Sequence, residues 1–103
     1  MKDLEQKVLS YIDQHSDDVD QLLSKLIRIK SVNSGSDGDE EKCGELIMNE
    51  YQSLGLEAEK YCPDSVPGVK ESSGYLAGRH MDRRPNFSGV YHAPGASKKV
   101  MLA

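Results

Sequence analysis

The residues of this chain that could do chemistry are three histidines, two cysteines and a set of carboxylates, and their spacing decides which could act together. His80-Met81-Asp82 sets an imidazole and a carboxylate two apart. On a strand or at its end, alternate side chains share a face, so both could ligate one metal ion. The neighbours oppose this: Arg79, Arg83 and Arg84 bring positive charge beside the pair, and no further ligands cluster there. We read His80 as a solvated loop histidine. His15 falls at an expected helix end, where an imidazolium meets the negative pole. His92 follows an expected strand. Neither has a Ser, Cys or carboxylate at a motif spacing, so no nucleophile–base pair is assigned.

Glu40-Glu41 and Glu57/Glu59 could be drawn as acid–base carboxylate pairs. A helix N-terminus explains the first pair, and a solvent-facing strand surface the second. Cys43 lies on an apolar helical stripe and reads as a packed residue rather than a nucleophile. Asn33-Ser34-Gly35-Ser36-Asp37-Gly38 superficially resembles a calcium loop. Gly35 stands where a ligand is needed, and Gly44 occupies the position of the bidentate glutamate, so calcium is not expected. The glycines do not bridge a strand and a helix at the spacing of a phosphate loop.

The elements that must position these residues follow from periodicity. Leu4, Val8, Tyr11 and Ile12 recur at helical spacing and predict a first helix ending near His15. Ser16 is the expected N-cap of a second helix, with Asp17 and Asp18 in its first turn. Val19, Leu22, Leu23, Leu26 and Ile27 form its apolar stripe, and Lys25, Arg28 and Lys30 suit its C-terminus. Asp37 or Asp39 is expected to cap a third helix whose stripe is Cys43, Leu46, Ile47, Tyr51 and Leu54, stopped by Gly55. Strands are expected over 56–62, 87–91 and 98–103. Residues 63–83 form an irregular excursion, and loops this long often cover a site. The last run, Val100 to Ala103, is continuously apolar, the pattern of a strand buried on both faces of a sheet.

At 103 residues and 37% hydrophobic, the chain allows one small domain at most. A net charge of −4 without a basic stripe argues against nucleic acid. Cys43 and Cys62 lack the spacing of a zinc site or the density of a secreted disulfide scaffold, which suits reduced thiols in the cytoplasm. The charged start Met1-Lys2-Asp3-Leu4-Glu5 has no apolar signal segment, and no run approaches the ~20 apolar residues of a membrane span.

Several stretches together resemble the N-terminal part of the acetylornithine deacetylase, succinyl-diaminopimelate desuccinylase and aminoacylase family of two-metal peptidases and deacylases. They are Leu22 to Asn33, Glu50 to Glu59, Gly74-Tyr75-Leu76-Ala77-Gly78-Arg79, Arg84 to Tyr91, and Lys98 to Ala103. Their order and spacing are more specific than any one of them. The resemblance implies an α/β fold, helices first and then three strands of a mixed sheet, forming the N-terminal part of a zinc-peptidase-like catalytic domain. On this reading residues 1–103 are an incomplete portion of that domain, and the lid or dimerisation domain is absent. It implies two zinc or cobalt ions that activate a water to attack an amide carbonyl of an N-acyl amino acid or small peptide. It also implies a possible homodimer in the parent, and no nucleic-acid or membrane partner.

In the family, the strand matching Val100 to Ala103 runs into Gly-His-x-Asp, which brings the first metal ligand. His80-x-Asp82 precedes Arg84-Pro85-Asn86 and is not that motif. No catalytic, cofactor-binding or metal-binding residue is therefore assigned within this chain; the family ligands are expected beyond Ala103. The chain alone is expected to bind no catalytic metal and to be inactive. A non-catalytic interaction module or a partner-dependent fragment is the competing reading.

Overall fold

The computed structural model describes residues 2–82 and 84–103. Met1 of the charged start and Arg83 of the basic cluster lie outside the described residues. The order is α1 (Lys2–Gln14), α2 (Ser16–Arg28), α3 (Glu41–Ser53), β1 (Glu57–Tyr61), short 3-10 turns at Pro63–Ser65 and Val69–Glu71, and β2 (Asn86–Val90). The chain divides into two units, Met1–Lys30 and Ser31–Ala103.

In the first unit a single residue, His15, separates the two helices. Its amide donates to the carbonyls of Tyr11 and Ile12 at 3.1 and 3.2 Å, and its Nδ1 lies 2.7 Å from the Tyr11 carbonyl oxygen. The imidazole also stacks on the Tyr11 ring, centroids 3.8 Å apart. His15 thus closes α1 as expected. It also takes the N-cap position of α2, without a side-chain cap bond. Ser16 is the first residue of α2 rather than its cap, because His15, the one residue between the two helices, already holds the cap position. Asp17 and Asp18 in the first turn, and Lys25 and Arg28 in the last, sit where the helix dipole favours them.

The second unit begins with a tight loop. An antiparallel bridge joins Asn33 and Gly38, the Ser34 amide donates to the Asp37 carbonyl at 2.9 Å, and the Asp39 amide donates to the Val32 carbonyl at 3.0 Å. Neither Asp37 nor Asp39 caps α3. Glu40 is the N-cap residue and makes no side-chain cap bond, since its carboxylate is held by Arg84. At the other end Gly55 has φ +73°, which an L side chain rarely adopts. The Gly55 amide donates to the Gln52 carbonyl and the Leu56 amide to the Tyr51 carbonyl, both at 3.0 Å. This pair of bonds is a Schellman closure, as the glycine predicts.

β1 and β2 pair antiparallel, from Glu57 opposite Val90 to Tyr61 opposite Asn86. Alternation puts Ala58, Lys60, Phe87 and Gly89 on the face toward α3. There the Phe87 ring lies against Gly44, and Gly89 faces Tyr51 and Leu56. The opposite face carries the polar Glu57, Glu59, Asn86 and Ser88 together with Tyr61 and Val90. Gly44 is buried, and no apolar side chain among the described residues is fully buried. Leu54, expected on the buried stripe, is 69% exposed because it falls past the last turn of α3.

The sheet corrects the expected third strand. It is two-stranded and antiparallel, not a three-stranded mixed sheet, and residues 98–103 form no strand. A turn at 93–96 follows β2, with the Ala96 amide on the Ala93 carbonyl at 3.2 Å, and Val100, Met101 and Leu102 emerge 87%, 86% and 94% exposed. A continuously apolar run becomes a strand only when neighbours pair its edges and cover its faces. The described residues supply neither to this segment. What stands is a combination of helices with a small antiparallel sheet, compatible with a broad α/β class.

Lys60 reaches across the hairpin to α3, with Nζ 3.2 Å from both Glu41 Oε1 and Glu45 Oε1. The hydrogen bond to Glu41, then that to Glu45, holds its pKa above the ordinary lysine value. A raised lysine stabilises fully below its unfolded pKa, and the contribution is lost as pH rises through the folded value. An NMR titration of the Lys60 ammonium should therefore show a raised midpoint. Glu41→Gln should lower it more than Glu45→Gln, and the pair is exposed enough for salt to weaken the effect.

Candidate functional site

The excursion between β1 and β2 is the one stretch whose length and composition set it apart, and local bonds build it. Pro63 starts the first 3-10 turn, where Ser65 returns its amide and hydroxyl to the Cys62 carbonyl at 3.0 and 2.6 Å. Gly68 at φ +79° reverses the chain into the second 3-10 turn, and Gly78 at φ +83° turns it back. On the return, the Cys62 thiol donates to the Met81 carbonyl at 3.1 Å, and the His80 amide donates to the Ser36 carbonyl at 2.7 Å.

Arg84 fastens the far end. Its Nε and Nη2 donate to the two carboxylate oxygens of Glu40 at 3.1 and 2.7 Å, a bidentate pair joining residues 44 positions apart. The Arg84 side chain is only 10% exposed. Its hydrogen bonds are the largest cause holding Glu40 below the usual glutamate pKa, with desolvation acting against them. One guanidinium nitrogen, Nη1, is buried without a hydrogen-bond partner among the described residues, as is Oδ1 of Asp64.

The excursion curls around an open cleft of about 330 Å³, lined chiefly by Asp64, Val69, Tyr75, Leu76, Arg79 and Met81. That volume is at the small end of ligand pockets. Its walls are largely apolar, with one carboxylate and one guanidinium. The unpartnered oxygen of Asp64 is closed off from solvent, so it does not present itself to a molecule in the cleft.

The remaining candidates are scattered. His80 Nδ1 lies 3.6 Å from Asp37 Oδ2, and both side chains are substantially exposed, so His80 faces the 33–38 loop. His15 caps α1. Cys43 and Cys62 are half-buried free thiols. Glu41 is taken by Lys60. Besides His80 with Asp37, the sequence reading missed a second and closer histidine–carboxylate pair: His92 Nε2 lies 2.7 Å from Glu57 Oε2. The two are 35 positions apart, and their meeting follows from the register that places Glu57 opposite Val90. The pair is exposed, and neither residue meets a hydroxyl or thiol nucleophile in any described hydrogen bond.

The residues present do not fit the two-metal centre that the resemblance implies. Among the described residues no three His, Cys, Asp or Glu side chains come together to hold a metal ion. No described helix is long and apolar enough to cross a membrane. Set against known proteins, the chain matches no family model, no curated protein and no solved structure.

Proposed function

We propose that this chain is the N-terminal segment of the catalytic domain of a metal-dependent amidohydrolase, of the acetylornithine deacetylase, succinyl-diaminopimelate desuccinylase or aminoacylase type. The whole enzyme would act in the cytoplasm on an N-acyl amino acid or a small peptide, with a possible homodimer and with zinc or cobalt bound by residues beyond Ala103. The observation that carries the reading is the exposed apolar run at Val100, Met101 and Leu102, placed after a helix, a strand, a long excursion and a second strand. Such a run calls for a larger sheet, and the resemblance places the first metal ligand just past it.

The test begins with the coding DNA and transcript beyond Ala103. An open frame continuing into Gly-His-x-Asp is expected. Its product, loaded with zinc or cobalt, should release amino acid from N-acetyl or N-succinyl substrates, while the 103-residue chain should release none. A stop codon in both, or a longer product inert with either metal, sinks the assignment.

A second reading is a non-catalytic module or a partner-dependent segment. It is favoured by the apolar side chains that α1 and α2 leave exposed, among them Leu4, Tyr11, Val19 and Ile27. A soluble monomer with a sharp unfolding transition would favour a self-contained module.

A further inference from the structure

The loop at 33–38 sets a backbone amide beside a carboxyl group, independently of the hydrolase reading. Asp37 is followed by Gly38, and the Gly38 amide donates to Asp37 Oδ1 at 3.0 Å. The carboxyl carbon is one bond further on, so nitrogen and carboxyl are held side by side. The bridge between Asn33 and Gly38, the Ser34 to Asp37 bond at 2.9 Å and the His80 to Ser36 bond at 2.7 Å keep the backbone in this arrangement. Gly38 has no Cβ to shield its nitrogen. A Cβ there would meet the Glu40 carboxylate. The Asp37 side chain is 42% exposed, so water can reach it.

We propose that Asp37-Gly38 is a site of spontaneous succinimide formation that converts residue 37 to isoaspartate. The Gly38 nitrogen attacks Cγ of the protonated Asp37 carboxyl. An N–Cγ bond forms, the Cγ–OH bond breaks, and the amide proton leaves with that hydroxyl as one water. No oxidant or co-reactant is needed. Water then opens the ring. Attack at Cγ restores aspartate. Attack at the main-chain carbonyl breaks the original peptide bond and leaves the chain running through Cβ and Cγ. That product is longer by one carbon, and the former carbonyl becomes a free carboxylate. The backbone spacing that forms the Asn33–Gly38 bridge is then lost, and the acceptor of the Ser34 amide leaves the main chain as a carboxylate oxygen. Holding the reacting atoms together is what makes the folded loop faster than an open chain.

The full chain is incubated in mildly acidic buffer at body temperature, with and without denaturing urea. Isoaspartate is located by peptide mapping and by enzymatic methyl esterification. It should form at residue 37 faster than at Asp64-Ser65, and at least about threefold faster in the folded chain than in urea. Asp37→Glu should abolish it, because the ring would need six members. Gly38→Ala should slow it by roughly tenfold, since a Cβ crowds the attacking nitrogen. Absence of isoaspartate at residue 37, or a folded rate equal to or below that in urea, overturns the proposal.

Discussion

Alanine at position 44 should loosen α3 from the hairpin, although alanine is the better helix former. Inside a helix, glycine to alanine normally gains about 1 kcal/mol by restricting the unfolded chain and supporting the helix. At Gly44 the added methyl would occupy the space of the Phe87 ring. That ring is fixed by the register of β2, where Phe87 pairs with Lys60, so it cannot slide along the helix. Overpacking of this kind costs about 1–3 kcal/mol, which outweighs the helix gain. The expected outcome is a net loss of up to about 2 kcal/mol, read as faster amide exchange in β1 and β2 and a lower urea midpoint. The decisive comparison is made in a Phe87→Ala background. With the ring gone, Gly44→Ala should become stabilising by about 1 kcal/mol. A reversal of sign between the two backgrounds is the signature of direct contact. Stabilisation by Gly44→Ala with Phe87 intact would show that the ring does not rest on this glycine.

Arg84→Met should have an effect of similar size, and it should depend on pH. The substitution keeps the apolar stem and removes two charge-assisted bonds to Glu40. Losing them in a mostly buried setting should cost about 2 kcal/mol. The damage should fall on the excursion, whose amides between Cys62 and Arg84 should exchange faster and whose peptide bonds should be cut sooner by protease. The pH dependence follows from Glu40, whose pKa Arg84 holds low. A depressed carboxylate stabilises above its unfolded pKa, and the contribution fades as pH falls through the folded value. The native chain should therefore lose stability on acidification below the ordinary glutamate range, and Arg84→Met should lose less over the same interval. Arg84→Lys should not restore the native profile, because an ammonium cannot donate in parallel to both oxygens. Equal acid sensitivity in the native and methionine chains would rule out the pair as the source.

Much of the architecture was legible because it rests on local chemistry. The stripes of α1, α2 and α3 follow from spacing, the closure of α3 from Gly55, and β1 and β2 from alternation between turn residues. What escaped the sequence depends on partners remote in the chain. Asp37 and Asp39 are sound capping residues by type, yet Glu40 holds the cap position and has its carboxylate drawn away by Arg84. Gly44 looked like a failed calcium ligand, and its use as the seat of Phe87 is visible only once the hairpin lies on α3. The apolar run at Val100 to Leu102 carries strand composition, but a strand is a property of a pair, and composition names only one member. His92 and Glu57 become neighbours through register, which no short motif encodes. His80 meets Asp37 of the 33–38 loop, a contact that its flanking residues do not announce.

The way the excursion is tied down bears on how its length can change. Its two ends are closed by contacts that lie outside its middle: Cys62 to Met81, His80 to Ser36, and Arg84 to Glu40. Once these closures exist, the cost of a longer connection grows only with the logarithm of its length, about 0.6 kcal/mol for each doubling. Residues inserted between Val66 and Gly78 would then leave the pairing of Glu57 with Val90, and of Tyr61 with Asn86, in place. The hairpin keeps its register while the cleft wall varies, so this segment can acquire new shapes for little free energy, whereas β1, β2 and the start of α3 cannot.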